Sequence, residues 1–253
     1  MAWASGKHAL ITGGGTGIGA ATARALAREG ARVSLLGRRA DLLETVASEV
    51  GGLALACDVT DRHSLEHSFA DARAAHGPLD LVILNAGIGD SAPFLRTPRD
   101  SWNAIIATNL TALFDGAQLA LPDLLEGDGK RLVIVASVAG LKGGAYAAPY
   151  VASKHGAVGL TKSLALEYAR TGLTVNAVCP AFVDTPMVDD SAARIARATR
   201  RSEEEARASL AALNANGRLV TAEEVAHAIL YLCHPDARSV TGACVTVDGG
   251  TTA

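Results

Sequence analysis

Tyr150 and Lys154 stand four residues apart, a spacing that places both side chains on one face of a helix, one turn apart. Such a pair can move the proton of an alcohol, because a free phenol ionises near pH ~10 and a neighbouring ammonium favours the phenolate. Taken alone, Tyr-x-x-x-Lys describes many ordinary helix surfaces. Ser137 changes that reading. It closes the apolar run Arg131-Leu-Val-Ile-Val-Ala136, which reads as a buried parallel strand, and ligands bind at the carboxyl edge of such a sheet. A hydroxyl there can hydrogen-bond a carbonyl oxygen. With a hydride donor beside them, these groups would interconvert a ketone and a secondary alcohol, the protein supplying alignment, acidity and charge.

A nucleotide site is the second requirement, and the segment ALITGGGTGIGAATARAL supplies strand, glycine turn and helix in immediate succession. Gly15, Gly17 and Ala20 meet the common G-x-G-x-x-G/A pattern, but Thr12-Gly13-x-x-x-Gly17-x-Gly19 is better formed. Gly13, Thr16, Gly17, Ile18 and Gly19 are therefore expected to cradle a pyrophosphate at the positive end of the following helix. The second strand ends Leu36-Gly37-Arg38-Arg39. Gly37 occupies the place where an acidic residue binds the ribose hydroxyls of NAD, and the planar donors of Arg38 suit a 2′-phosphate. NADP(H) is the favoured cofactor. NAD(H), with Arg38 as a solvated loop charge, is the alternative.

The elements that must position these groups follow an alternating rhythm. Strands are predicted at Lys7–Thr12, Arg32–Leu36, Leu53–Cys57, Leu79–Leu84, Arg131–Ser137, Leu173–Cys179 and Ala243–Val247, with helices over Thr16–Glu29, Val151–Arg170 and a segment capped by Thr60 or Asp61 and ending at His76. This predicts a single doubly wound α/β domain of Rossmann type over 1–253, its seven-stranded parallel sheet covered by helices on both faces. The composition agrees: 49% of the 253 residues are hydrophobic and only 4% aromatic, so the core is aliphatic and close-packed around 26 glycines. Residues 182–216 are expected to form a helical substrate lid after strand six, with helices at Ser191–Thr199 and Ser202–Leu213. The formal charge of −3 argues against nucleic acid as a partner. Four scattered cysteines without C-x-x-C spacing give no disulfide or metal framework, and the absence of a secretory signal or an eighteen-residue apolar run predicts a cytoplasmic protein with no membrane partner.

The T-G-x-x-x-G-x-G spacing, Asn85-Ala86-Gly87 and Tyr150-x-x-x-Lys154 together resemble the short-chain dehydrogenase/reductase family, and the likeness spans the whole chain. The resemblance implies that Ser137 polarises the substrate, Tyr150 transfers the proton, Lys154 also holds the nicotinamide ribose, and Asn109 holds a water in a proton relay. It implies further that Asp58 and Val59 meet the adenine, that Asn85, Gly87 and Pro180 line the cleft, and that Val183 and Thr185 contact the nicotinamide. Many NADP-dependent relatives carry a second basic residue in the glycine loop, where this chain has Thr16. Family resemblance also implies a homodimer or homotetramer.

Within the family, Ala145–Gly156 and Val178–Met187 resemble polyketide ketoreductases, while Asn109–Phe114 and the long insertion resemble 3-hydroxybutyrate dehydrogenases. Enzymes of the second kind hold a free carboxylate with a histidine at the position of Ala139 and a polar residue at that of Gly89. An unpaired carboxylate in an apolar site is costly, so the expected substrate is an uncharged ketone such as a 3-oxoacyl thioester on CoA or a carrier protein. Ser137, Ala139, Tyr150 and Phe182, with Phe94 and Tyr146 at the mouth, are the candidate substrate residues. Arg194, Arg197, Arg200 and Arg201 either meet the phosphates of a thioester arm or form a solvated surface with Glu203, Glu204 and Glu205. NAD-dependent dehydrogenation of a hydroxyacyl, sugar, polyol or steroid alcohol is the alternative activity, and a non-catalytic redox sensor the remaining one.

Overall fold

The computed structural model describes residues 2–253. Its strands are β1 (His8–Thr12), β2 (Arg32–Gly37), β3 (Leu53–Ala56), β4 (Leu81–Leu84), β5 (Arg131–Val135), β6 (Thr174–Pro180) and β7 (Cys244–Val247). All neighbours are parallel, in the order β3-β2-β1-β4-β5-β6-β7. The helices are α1 (Gly17–Arg28), α2 (Ala40–Val50), α3 (Arg62–His76), α4 (Arg99–Ile106), α5 (Ala112–Leu124), α6 (Ala148–Glu167), α7 (Pro186–Thr199), α8 (Glu203–Ala211) and α9 (Ala222–Cys233). Every residue of β1, β4, β5 and β6 is buried. Such strands cannot alternate apolar with polar, because helices cover both faces.

One core joins the sheet to α1, α2 and α9, the other to α3, α5 and α6. Chain direction across the sheet reverses between β1 and β4, leaving a crevice at their carboxyl ends where α/β folds bind ligands. Asp61 caps α3 by accepting from His63 N at 3.1 Å, and Gly77 ends it, as the sequence predicts.

Three features differ from sequence expectation. Asn109 is expected within one long helix, but α4 and α5 are joined by a π turn at Ala107–Thr111, which widens the helix where Asn109 is buried. By length and mean hydropathy of 1.3, Arg99–Leu124 also has the composition of a membrane span. Its apolar residues Leu113, Ala117, Ala120 and Leu124 are buried in the protein's own core instead. The first helix after β6 starts at Pro186 rather than Ser191, since Thr185 is extended and proline at the first helical position has its φ already set. The second is capped as expected: Ser202 Oγ accepts from Glu205 N at 3.1 Å, and Glu205 Oε2 from Ser202 N at 2.9 Å.

Candidate active site

Ser137, Tyr150 and Lys154 meet beyond the carboxyl edge of β5. Ser137 continues the strand in extended conformation, accepts from Ala139 N at 3.1 Å and donates to Pro180 O at 3.3 Å. These bonds hold its hydroxyl at the sheet edge. Tyr150 and Lys154 come from the first turns of α6. Lys154 is buried, donates from Nζ to Val135 O at 2.9 Å, and lies 5.7 Å from the centre of the Tyr150 ring.

Burial dominates the acidities of both groups. It pushes Lys154 down to about 8. It pushes the Tyr150 phenol up, and the neighbouring Ser137 hydroxyl pulls it only part of the way back. The Lys154 ammonium faces the Tyr150 ring and donates to a carbonyl, and burial is the larger influence on the phenol. A phenol raised in this way stays protonated at neutral pH, which suits a group that gives a proton to a reduced carbonyl oxygen.

The Asn109 side chain ties the loop after β4 to α6. Its Oδ1 accepts from Ile88 N at 2.8 Å, while Nδ2 donates to Ile88 O at 2.9 Å and to Ser153 Oγ at 3.2 Å. A Cβ on Gly87 would stand 3.4 Å from Asn109 Oδ1 and 3.7 Å from Lys154 Nζ, so the missing side chain leaves those two groups facing a common space.

At the nucleotide end, Gly13 and Gly17 have φ of 68° and 52°, a region glycine enters without strain. Gly19 has a different duty. A Cβ there would fall 2.2 Å from Gly13 O and 2.7 Å from Asn85 Nδ2, so this glycine lets α1 pack against the turn. Asn85 braces the same turn: its Nδ2 donates to Thr12 O at 2.9 Å, and Thr12 Oγ1 accepts from the backbone of Asn85 and Ala86.

The residues present fit a dinucleotide. Thr16 makes no side-chain cap on α1 and no acidic residue lies in its first turn, so the free N–H groups and positive helix end remain for a phosphate. Arg38 and Arg39 are both exposed beside that turn, and Arg39 Nη2 donates to Thr16 Oγ1 at 3.1 Å. Gly37 adds no side chain at the end of β2.

The remaining expected residues lie around the crevice in varied roles. Asp58 is exposed, its carboxyl held below the usual range by hydrogen bonds from Thr60, while Val59 is buried. Ile18 packs on the core. Val183 pairs with Val220 in a parallel bridge. Thr185 precedes α7 and donates from Oγ1 to Val183 O at 3.3 Å, and a Cβ on Gly17 would lie 2.8 Å from its Cγ2. Phe182, expected at the substrate, is partly buried and packs against the core of the α7–α8 segment. Phe94 and Tyr146 are 74% and 66% exposed, which puts them on the outer rim. Tyr146 has a left-handed φ of 64°, and its carbonyl accepts from Ala92 N at 2.8 Å, joining two rim loops. Ala139 follows Ser137 in a single 3-10 turn.

A family model described as enoyl-(acyl carrier protein) reductase matches residues 13–252. The chain belongs to the short-chain dehydrogenase/reductase family. This short-chain dehydrogenase/reductase is an oxidoreductase. It is 38% identical to a putative ketoacyl reductase of Streptomyces coelicolor, over 99% of this chain and 98% of that protein. It is also 38% identical to a D-beta-hydroxybutyrate dehydrogenase of Rhizobium meliloti, over 98% of this chain and 99% of the relative. Among solved structures, a variant of actinorhodin polyketide ketoreductase with NADPH superposes with a TM-score of 0.93 at 38% identity, over 97% of each chain.

Sequence reasoning missed Arg39 and Met187, and left Arg194 between two roles. Arg39 was visible in the Arg38-Arg39 pair, but its contact with Thr16 spans 23 residues of sequence. Met187 lies at the site because a Cβ on Gly89 would stand 3.7 Å from its Sδ and 3.9 Å from Tyr150 Cε2. No periodicity announces such a contact.

Proposed function

We propose that this short-chain dehydrogenase/reductase uses NADPH to reduce an uncharged 3-oxoacyl compound, foremost a 3-oxoacyl thioester, to its 3-hydroxy product. The observation carrying the reading is the meeting of Ser137, Tyr150 and buried Lys154 at the sheet edge, reached from the uncapped end of α1. NADPH, when bound, supplies the hydride. Ser137 orients the carbonyl oxygen, and protonated Tyr150 gives that oxygen its proton. Lys154 keeps a charge beside the phenol and has donors left for ribose hydroxyls, while Asn109 holds the wall opposite. Gly87, Pro180, Val183 and Thr185 border the nicotinamide side, and Asp58 and Val59 the adenine side.

Three features support the choice of cofactor and substrate. Gly37 places no carboxylate against a 2′-phosphate, and Arg38 and Arg39 offer it two guanidinium groups. Around Gly89 the neighbours are Met187 and the Tyr150 ring, which give a free carboxylate no partner. The Streptomyces relative and the actinorhodin ketoreductase carry names of the same activity. The Rhizobium relative supports a second reading, NAD-dependent oxidation of a 3-hydroxy acid. Exposed Phe114 and Leu166 on α5 and α6 favour a homo-oligomer, dimeric or tetrameric, and four free cysteines suit the cytoplasm.

Tyr150→Phe should abolish ketone reduction while NADPH binding, followed by its fluorescence, stays within about twofold, since only the proton donor is removed. Turnover near wild type would remove Tyr150 from its role. Acetoacetyl-CoA assayed against free acetoacetate decides the substrate, and preference for the free acid with NADH would establish the second reading.

A further inference from the structure

Helices α7 and α8 form a hairpin with its own core of Val188, Ala192, Ala206 and Leu210. Arg207 on α8 pairs with Asp184 and Asp189 at the start of the hairpin. Asn214 joins the two ends of the excursion, accepting from Phe182 N at 3.1 Å and donating to Phe182 O at 2.9 Å and Arg218 O at 2.7 Å. The hairpin thus keeps its shape through its own contacts. Beyond each other, neither helix packs extensively on another helix or strand.

Among the described residues, one side chain of the two helices makes a polar bridge to the loop after β4. Arg194 Nη2 donates to Gly89 O at 3.4 Å and to Ser191 Oγ at 3.0 Å. Its Nε lies 4.0 Å from Asp90 Oδ1 and, though shielded from solvent, has no hydrogen-bond partner. Asp90 Oδ2 in turn accepts from Ser101 Oγ on α4 at 2.8 Å. Arg194 therefore joins α7 to the loop after β4, which Asp90 in turn ties to α4, and the residue Arg194 grips, Gly89, is the one flanked by Met187 and Tyr150.

Resting on the reading of Tyr150 as the proton donor, we propose that Arg194 is a substrate-positioning residue: by holding the Gly89–Asp90 turn to the lid, it sets the width of the slot between Gly89, Met187 and Tyr150 in which the ketone lies. The contacts suit a clasp that tightens. A shift of about 1 Å would bring Nε and the Asp90 carboxylate within hydrogen-bond distance. A displacement of that size beside the reacting groups changes rate steeply.

The test combines kinetics with limited proteolysis on the full-length protein. Arg194→Ala and Asp90→Ala should each raise the KM for acetoacetyl-CoA about tenfold, as expected for loss of a charged hydrogen bond. The NADPH KM and the Tm should remain at wild-type values, the double variant should be no worse than the poorer single one, and Arg194→Lys should recover part of the loss. Trypsin should cut several-fold faster in both variants at Arg197, Arg200 and Arg201, which are exposed at the end of α7 and the turn beyond it. Additive KM effects, equal shifts for ketone and cofactor, or an unchanged cutting rate would overturn the proposal. If wild type reduces no ketone, the functional reading fails by itself, and the proteolysis still reads the clasp.

Discussion

In the proposed function, two guanidinium groups and one missing carboxylate set the choice between nicotinamide cofactors. Gly37 leaves the end of β2 without charge, Arg38 stands exposed beside it, and Arg39 reaches back to the glycine turn through Thr16. Replacing Arg38 or Arg39 with Ala should raise the KM for NADPH about tenfold or more, because each loses a charge-assisted bond to the 2′-phosphate, while the KM for NADH stays nearly constant. Equal shifts for both cofactors would detach these residues from phosphate recognition. At this scale the sequence was highly legible. Tyr150, Lys154 and Ser137 fall together at the sheet edge because strand and helix periodicity fix where side chains point. What it hid was the environment: the raised phenol and the lowered ammonium depend on burial produced by distant segments.

Elements succeed or fail here on close approach of backbone. Gly19 is the sharpest instance, since an alanine there would drive its methyl carbon to 2.2 Å from the carbonyl oxygen of Gly13. Neither atom belongs to a flexible side chain. Gly19→Ala should therefore cost at least about 2 kcal/mol, as overpacked positions do, and weaken NADPH binding because α1 must withdraw from the turn; thermal melts and cofactor titration would measure both. Strand positions were readable to within a residue or two, since aliphatic runs bounded by glycine, aspartate and proline leave few choices. The π turn at Asn109 was not. A widened turn has no composition of its own, and here it accompanies an amide fully engaged with Ile88 and Ser153. The packing of Phe182 against the α7–α8 core was hidden for a similar reason, because sequence cannot say which neighbours a ring will meet.

The molecule as a whole also carries a pH sensitivity far from its reactive edge. His8, at the amino end of β1, is fully buried, with Nδ1 at 2.8 Å from Gly77 O and Nε2 at 2.8 Å from Ser34 Oγ. Burial lowers its pKa from 6.5, with His76 and Arg32 adding to the effect against the Gly77 carbonyl and Asp80. The unfolded chain then takes up a proton near pH 6.5 that the folded chain refuses, so stability falls as pH drops below about 6.5. Asp80 acts in a lower window: burial raises its carboxyl, but Lys130 and the His8 backbone N–H outweigh that and leave it lowered, so its contribution is lost only in stronger acid. Urea midpoints measured from about pH 7 to 5 should decline for the wild type and flatten in His8→Gln, which can keep polar contacts without titrating. A parallel decline in both would place the sensitivity elsewhere.

Asn214 brings the two ends of the lid excursion to a single side chain, with Phe182 on one side and Arg218 on the other. An insertion whose ends meet can be exchanged without moving the strands that bear it. In the proposed function, the segment between Phe182 and Asn214 is thus a replaceable cassette: a cover of different length and lining, closed by the same asparagine, would alter the ketone accepted while the sheet and the acid stay as they are.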